Sequence, residues 1–379
     1  MKFVNVLFVV LLYCTHLSAQ VTLPNNLYFT HIGVEDGLCQ NTVCCILQDH
    51  LGFIWLGTKD GLTRYDGYRF RVFKHDAADP MSIGNNFIRV LYEDADGLIW
   101  IGTNVGVYIY NPETENFRKF DVATERGDVI SREVSSIKCD SSGDLWIGVN
   151  WQGVFRYDRR DESLELYEPV PGDTTSLSSV HVWDLCFDGD GNLWVGSQNG
   201  GLDRYDRETD RFVRHRLKGL SDVSRIVLDK QNQLLLGTMK DGLFSFNPYM
   251  GTCQPLLLDS GHKDLFVRAI FVRNSREVVV GTENGIYIYD CVTRKTRHVN
   301  QELGNPYSLS CKAVYSIYCD KEGALWIGTY FGGVNYLPPS SSLIFDKFYP
   351  IGHSDRLSGK AVREFVRDES GIIWIGTED

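Results

Sequence analysis

Short apolar runs, separated by Gly, Asp and other polar residues, recur along most of the chain. The runs are rich in Val, Ile, Trp and Tyr, and none shows the period of about 3.6 residues that an amphipathic helix requires. The pattern therefore predicts an all-β chain. In the first clear unit we interpret four runs as strands a to d, namely Val43 to Gln48, Phe53 to Thr58, Leu62 to Tyr65 and Phe70 to Phe73.

This four-strand unit is repeated. Strand b contains Trp-x-Gly-Thr or a close variant, and its glycine recurs at Gly57, Gly102, Gly148, Gly196, Gly237, Gly281, Gly328 and Gly376. Most repeats join strands a and b through Asp-x-x-Gly, in which Asp bonds its own backbone and Gly accepts positive φ. Repeats of about 40 to 50 residues with four short strands are typical of β-propeller blades.

We predict seven blades rather than eight. The segment Tyr28 to Ile32 precedes the first strand a much as Phe345 to Tyr349 precedes Val362, and both resemble strand d. The amino-terminal segment is therefore expected to complete the seventh blade and leave the ring without open edges. The predicted domains are a signal peptide at 1–19, a seven-bladed propeller at 20–339, and an incomplete eighth repeat at 340–379 that begins a second propeller. On this view the chain is the front part of a longer product.

Most of the tryptophans share one repeat position, two residues before the glycine: Trp55, Trp100, Trp146, Trp194, Trp326 and Trp374. A residue found in nearly every blade has the same task in each, so we expect packing against the next blade rather than ligand binding. A buried Trp contributes on the order of 5 kcal/mol before its ordering entropy is subtracted. Leu235 and Val279 replace it in repeats five and six, and Arg273 replaces the turn Asp in repeat six.

Charge and the first residues indicate where the protein works. The chain has 38 basic and 49 acidic residues, a formal charge of −11, which disfavours nucleic acid and anionic membrane surfaces as main partners. Met1 and Lys2 precede an apolar run from Phe3 to Leu12, with small residues near Ala19. This pattern predicts a secretory signal and a periplasmic location, with an uncleaved anchor as the alternative. Cleavage would leave nine cysteines, which we interpret as small hydrophobic residues.

The repeat resembles a known family. Its consensus, Asp-x-x-Gly-x-Ile/Leu-Trp-Ile/Leu-Gly-Thr followed by a second glycine and Tyr/Phe-Asp/Asn, resembles the two-component-regulator propeller repeat. That repeat occurs in the extracytoplasmic sensor region of hybrid two-component systems, especially those of Bacteroidetes that govern glycan use. The opening YFTHIGVEDGLCQNTV resembles the start of such sensors. The resemblance implies two propellers, an immunoglobulin-like module, a membrane helix, a histidine kinase and commonly a receiver with a DNA-binding region. The later modules are not in this sequence, so no kinase residue is assigned.

Sequence motifs for catalysis are lacking. The sequence has no H-E-x-x-H, no phosphate-binding G-x-x-x-x-G-K-S/T and no G-x-S-x-G, so we predict no catalytic residue, metal or cofactor. Residues that break the repeat are better candidates, and they fall where b–c turns and d–a connections share one face. Aromatic rings there could stack on sugars while amides bond hydroxyls. The candidate ligand-binding residues are Asn150, Trp151, Gln152, Asn199, Tyr330 and Phe331. The alternative is local packing, or packing against a second propeller.

We therefore predict a non-enzymatic, periplasmic sensor propeller, the amino-terminal part of a hybrid two-component sensor. It would recognise an oligosaccharide or related small ligand and, in a full-length relative, control signal transduction and transcription. Its expected partners are that ligand, a second propeller and the downstream modules, with a homodimer left open. The alternatives are a protein-interaction scaffold and a streptogramin-lyase-like enzyme.

Overall fold

The structure, a computed structural model, describes residues 22–217, 220, 222–257, 265–339, 357 and 361–378. The predicted signal peptide at 1–19 lies outside these residues. The described chain forms seven four-stranded antiparallel sheets, the blades, and one two-stranded hairpin. Its one helical element is a 3-10 turn at Val34–Asp36. None of its helical segments has the length and apolar character needed to cross a membrane.

Each blade has strand a innermost and strand d outermost. The strands a to d are Val43–Gln48, Ile54–Thr58, Gly61–Tyr65 and Phe70–Phe73 in blade 1; Ile88–Glu93, Ile99–Thr103, Gly106–Asn111 and Asn116–Lys119 in blade 2; Val134–Cys139, Leu145–Val149, Gly153–Asp158 and Ser163–Tyr167 in blade 3; Val182–Phe187, Leu193–Ser197, Gly201–Asp206 and Arg211–His215 in blade 4; Val223–Leu228, Leu234–Thr238, Leu243–Asn247 and Thr252–Leu257 in blade 5; Val267–Val272, Glu277–Thr282, Gly285–Asp290 and Thr296–Val299 in blade 6; Val314–Cys319, Leu325–Thr329, Val334–Leu337 and Thr30–Ile32 in blade 7. The bounds predicted for blade 1 differ from these by one residue at most.

The ring closes through the amino-terminal strand. Strand a of every blade contacts strand a of the next, and that of blade 7 contacts that of blade 1. Strand d of blade 7 comes from the other end of the chain, with Thr30 opposite Tyr336 and Ile32 opposite Val334. The prediction of seven blades closed by the amino-terminal segment is confirmed. Gly333 permits this pairing, because its φ is +67° and a Cβ there would collide with the carbonyl oxygen of Ile32.

The segment before this strand is anchored to blade 6. The backbone N–H of Leu23 donates to both carboxylate oxygens of Glu277, at 3.1 and 2.9 Å. The guanidinium of Arg297 donates to the carbonyl oxygen of Asn25 at 2.7 Å. Arg273 also pairs with Glu277, at 2.9 Å. Repeat six has Arg273 where other repeats have the turn Asp. This Arg pairs with the same Glu277 that holds the amino-terminal segment.

A hydrogen bond joins each repeated Trp to the turn of its own blade. In all six repeats that have the Trp, its indole N–H donates to Oδ2 of the turn Asp at 2.8 to 3.2 Å. The other oxygen, Oδ1, accepts a backbone N–H four residues after that Asp. The sequence analysis found the turn bond but missed the indole bond, which explains why Asp and Trp occur together.

The five of these tryptophans that lie in blades, which excludes Trp374 of the hairpin, pack against the next blade, as predicted. The ring of Trp55 lies 5.0 Å from that of Tyr110 in blade 2, and Trp326 of blade 7 lies 6.0 Å from Tyr65 of blade 1, across the closure. Leu235 and Val279 occupy this place in blades 5 and 6 and are 2% and 1% exposed. Apolar contact between blades therefore continues around the whole ring.

Four d–a connections are fixed by one shared pattern, a buried Leu or Ile followed by a small residue. The four pairs are Leu38-Cys39, Ile83-Gly84, Leu177-Ser178 and Leu309-Ser310. In blade 7 the Ser310 backbone N–H donates to Asn335 at 2.8 Å, and the Asn335 amide donates to the Ser310 hydroxyl at 2.9 Å. In blade 4 the backbone N–H and hydroxyl of Ser178 donate to the Asp203 carboxylate at 2.9 and 2.6 Å. Both Asp203 and Asn335 are fully buried.

Burial raises the pKa of Asp203 to about 6, while the hydrogen bonds from Ser178 act in the opposite direction. Blade 4 therefore contains an ionisable group where blade 7 has a neutral group of the same shape.

The carboxyl-terminal residues form the start of a further repeat. Strands Val362–Arg367 and Ile373–Thr377 pair as a hairpin, in the register of strands a and b of a blade. Apolar side chains of this hairpin are exposed, including Phe365 at 67% and Trp374 at 62%. In the blades, strand c and the next blade cover the same positions. A second propeller built on this hairpin remains a prediction.

The nine cysteines of the described chain are all free thiols, and Cys186 is the buried one while the others are half-buried. The interpretation of these residues as small hydrophobic side chains fits Cys186 best.

Candidate functional site

The candidate residues lie on the face that carries the b–c turns and d–a connections, which we call the upper face. At its centre, the residue after strand b of one blade meets the residue before strand a of the next. Asn150 and His181 form an isolated bridge in this way, and Lys59 and Phe87 are neighbours across blades 1 and 2. We call the opening surrounded by these positions the mouth.

Trp151 presents its indole at the mouth on blade 3. The side chain is 66% exposed, and its ring meets that of His181 edge to face, with the ring centroids 4.0 Å apart. Its φ is +71°, a left-handed conformation that a bulky residue rarely adopts and that costs about 1–3 kcal/mol. The neighbouring Asn150 Oδ1 lies 3.2 Å from His181 Nδ1. Residues held in sparsely populated conformations cluster at functional sites, so Trp151 stays a candidate for ligand contact.

Gln152 and Asn199 are placed less favourably for a ligand. The Gln152 amide donates to the carbonyl of Val129 and accepts from the backbone N–H of Ser131, both at 3.0 Å. It therefore fixes the connection that leads into blade 3. Asn199 is exposed, has a φ of +58°, and occupies in blade 4 the place that Trp151 has in blade 3.

Tyr330 and Phe331 form the second group, on blade 7. Their rings lie 4.2 Å apart, and Phe331 is 70% exposed. The hydroxyl of Tyr330 accepts a hydrogen bond from Lys59 Nζ at 3.0 Å. Blade 7 lies across the ring from blades 3 and 4. The structure therefore brings together Asn150 with Trp151, and Tyr330 with Phe331, but places the two groups on opposite sides of the mouth.

Sequence reasoning missed most of a larger cluster, which we call the mouth arc. Aromatic rings and cations succeed one another around the mouth in the order Trp183, Phe266, Arg268, Tyr315, Tyr330, Lys59, Phe87 and Arg89. The separations along this order are 6.3, 3.9, 4.6, 5.1, 4.1, 5.7 and 4.3 Å, from ring centroid to ring centroid or to the cation. The arc contains residues of blades 4, 6, 7, 1 and 2, and Tyr330 is its one predicted member.

Two of the three cations in the arc have carboxylate partners. Arg89 lies 2.7 Å from Glu133, and Arg268 lies 2.5 Å from Glu283. Lys59 instead lies over the rings of Tyr330 and Phe87. The arc therefore offers flat apolar faces beside fixed positive charge, a combination that suits sugar rings and polar substituents.

Two weak acids at the arc, the Cys44 thiol and the Tyr315 hydroxyl, are held protonated by burial. Burial raises the pKa of the Cys44 thiol to about 11, and the nearby cations of the arc act in the opposite direction. A thiol in this state is a poor nucleophile near neutral pH. Burial also raises the pKa of Tyr315. These groups can donate hydrogen bonds and pack against a ligand without changing charge.

A family model for the two component regulator propeller matches four segments, at 37–60, 82–105, 176–199 and 308–331. Each segment begins at a d–a connection of the shared pattern and ends just after strand b, so each includes residues of the mouth. In these four segments the chain is similar to the two component regulator propeller repeat. The family therefore agrees with the resemblance noted from the Asp, Trp and Gly spacing.

Solved structures agree with this family. The extracellular domain of the protein named as hybrid two component system BT3049, from B. thetaiotaomicron, is 28% identical with a TM-score of 0.78, over 93% of this chain and 47% of that chain. The corresponding domain of BT4673 is 22% identical with a TM-score of 0.71, over 93% and 44%. A curated relative, Histidine kinase P4 from Formosa agariphila, is 39% identical over 59 residues, which are 16% of this chain and 4% of that protein. The chain thus spans about half of the solved domains and a small part of the kinase.

The fold is also shared with enzymes. A streptogramin B lyase has a TM-score of 0.60 at 13% identity, over 82% of this chain and 97% of the lyase. Identity at this level shows the common propeller fold alone.

Proposed function

We propose that this chain is the ligand-sensing propeller of a hybrid two-component sensor and that it receives an oligosaccharide at the mouth. The observation that supports this most directly is the mouth arc, together with Trp151 across the ring. Seven aromatic rings surround or face the opening: Trp151, Trp183, Phe266, Tyr315, Tyr330, Phe331 and Phe87. The similarity to extracellular domains of hybrid two-component systems supports the sensor role.

The chemistry of the mouth suits carbohydrate. An exposed indole and a Tyr-Phe pair present flat apolar faces on which the C–H faces of sugar rings can stack. Lys59 and Asn150 supply polar groups close to these rings and could bond hydroxyls. A small number of polar groups among aromatic rings is the usual composition of a small-molecule site.

Signalling requires more than binding. A ligand changes the output only if it binds two receptor geometries with different affinity. We propose that the two receptor geometries differ in how this propeller is arranged relative to a second propeller, which the exposed hairpin begins, and to the downstream modules of a full-length protein. In this scheme 1–19 is a cleaved signal, 20–339 the first propeller and 340–379 the start of the second, with the sensor region in the periplasm.

The test is binding of a panel of neutral and charged oligosaccharides to the purified chain, measured by isothermal titration calorimetry. We expect Trp151→Ala, and separately the double change of Tyr330 and Phe331 to Ala, to weaken binding at least about fivefold, since a sugar–ring contact contributes on the order of 1 kcal/mol or more. Tyr68→Ala is the matched control, because Tyr68 is 93% exposed on a c–d turn of the opposite face.

Binding that survives both changes in folded variants would contradict the placement of the site. A chain that binds no oligosaccharide would favour a scaffold for protein partners, and turnover of a bound compound would favour a lyase.

A further inference from the structure

Lys59 is the cation of the mouth arc whose charge is left unbalanced. Its ammonium lies 4.1 Å from the ring centroid of Tyr330 and 5.7 Å from that of Phe87, and it donates to the Tyr330 hydroxyl. Among the described residues, none of its contacts is a carboxylate. The side chain is half-buried, so the ammonium has lost part of its hydration. An anion placed there would gain more than one at an open surface.

Two donors on the other side of the mouth, in blades 4 and 5, are also incompletely used. The indole Nε1 of Trp183 is buried and no described protein atom accepts from it. The guanidinium of Arg225, on strand a of blade 5, donates to the carbonyl oxygens of Arg268 at 2.6 Å and of Trp183 at 3.5 Å, and to no described carboxylate. The carboxylate of Asp184 on the adjacent strand a already accepts three hydrogen bonds, two at 2.9 Å and one at 3.1 Å. This side of the mouth therefore has more donors than acceptors.

We propose that the mouth arc selects an anionic oligosaccharide, with a carboxylate or sulfate of the ligand placed against Lys59. A sugar ring of the same ligand would stack on Tyr330 or Phe331, whose rings adjoin that ammonium. This inference rests on the proposed function and adds the charge of the ligand to it. The whole chain carries −11, so attraction of an anion has to come from these local groups rather than from the net charge.

The experiment compares charged and neutral forms of the same oligosaccharide by isothermal titration calorimetry. One arm uses tetragalacturonate and its full methyl ester, and the other uses a sulfated galactan tetrasaccharide and its desulfated form. We expect one of the charged forms to bind at least about tenfold more tightly than its neutral form, a difference that shrinks as salt is raised from about 0.05 to about 0.5 M. The arm that responds identifies the anionic group.

Variants test the role of Lys59. Lys59→Met should remove the preference for the charged form, so that the charged and neutral forms bind this variant with affinities within about twofold of each other. Lys74→Met is the matched control, since Lys74 is an exposed lysine on the same blade that pairs with Asp60 at 2.6 Å. If Lys59→Met does not fold, Lys59→Gln serves instead, with circular dichroism as the check on folding.

Equal affinity for charged and neutral forms, or a Lys59 variant that keeps the preference, would overturn this inference and leave the proposed function standing. Failure of every oligosaccharide to bind would overturn both.

Discussion

Replacing Asp203 with Asn is expected to stabilise the protein near pH 8 and to have a smaller effect near pH 5. The reason lies in blade 4, where this carboxyl is fully buried and bonded to Ser178. The folded state raises its pKa from 3.8 to about 6, so the folded protein holds this proton more tightly than the unfolded chain. The stability that the group contributes is therefore greatest at low pH and is lost as the pH rises through about 6.

The size of the effect follows from that difference in pKa. Ionising the buried carboxyl costs about 3 kcal/mol of folding free energy at about pH 8, and roughly half of that at about pH 5, where most folded molecules keep the proton. Asn335 shows that an amide is accommodated at the same place in blade 7, where it accepts from the backbone N–H of Ser310 and donates to the Ser310 hydroxyl. Relative to the parent protein, the free energy of unfolding of Asp203→Asn should thus increase by roughly 1 kcal/mol between about pH 5 and about pH 8.

Urea unfolding followed by Trp fluorescence, at both pH values, measures this gain. The reverse change, Asn335→Asp, is the matched control. It adds a second buried carboxyl, so this variant should lose stability relative to the parent protein as pH rises. A difference between parent and Asp203→Asn that is the same at both pH values would refute the reasoning, because the carboxyl would then not be titrating in this range.

Three further changes test other parts of the structure. Trp55→Phe removes the donor to a buried turn carboxylate and should lower the free energy of unfolding by about 1.5–3 kcal/mol in urea titrations, whereas Trp374→Phe in the exposed hairpin should change it little. Gly333→Ala should open the closure of blade 7, seen as faster hydrogen exchange at residues 30–32. Gly67→Ala, whose added Cβ meets nothing within 4 Å, should cost only about 1 kcal/mol of backbone strain. Trp151→Gly should raise the melting temperature by relieving a strained φ, worth about 1 kcal/mol, yet weaken ligand binding; a lowered melting temperature would contradict this.

The ring could be predicted because its determinants are local and repeated. The turn Asp, the Trp and the strand b glycine recur at fixed spacing, and one blade explains the others. Closure by Tyr28 to Ile32 was also predictable, since that segment resembles a strand d without a blade of its own. The carboxylate that accepts the indole N–H was missed because side-chain direction is not visible in spacing.

The mouth was predictable only in part. Trp151, Tyr330 and Phe331 stood out because they are bulky residues within the b–c turns. Lys59, Phe87 and Arg89 did not, because each is an ordinary residue in its own repeat and becomes significant only when blades meet. Comparing the residue after strand b with the residue before the next strand a, around the ring, would have found them. The identity of a ligand depends on this meeting of distant segments.

The pairing of Thr30 with Tyr336 joins positions 306 residues apart. The chain must therefore be synthesised as far as Leu337, the end of strand c of blade 7, before the earliest strand can find its whole partner. Until then that strand is solvent-exposed and its eventual partner has a bare edge, which invites mispairing with another molecule. We expect assembly of this disc to end in one late, all-or-none docking event, and the yield of correctly formed protein to depend on how long that first strand stays unpaired.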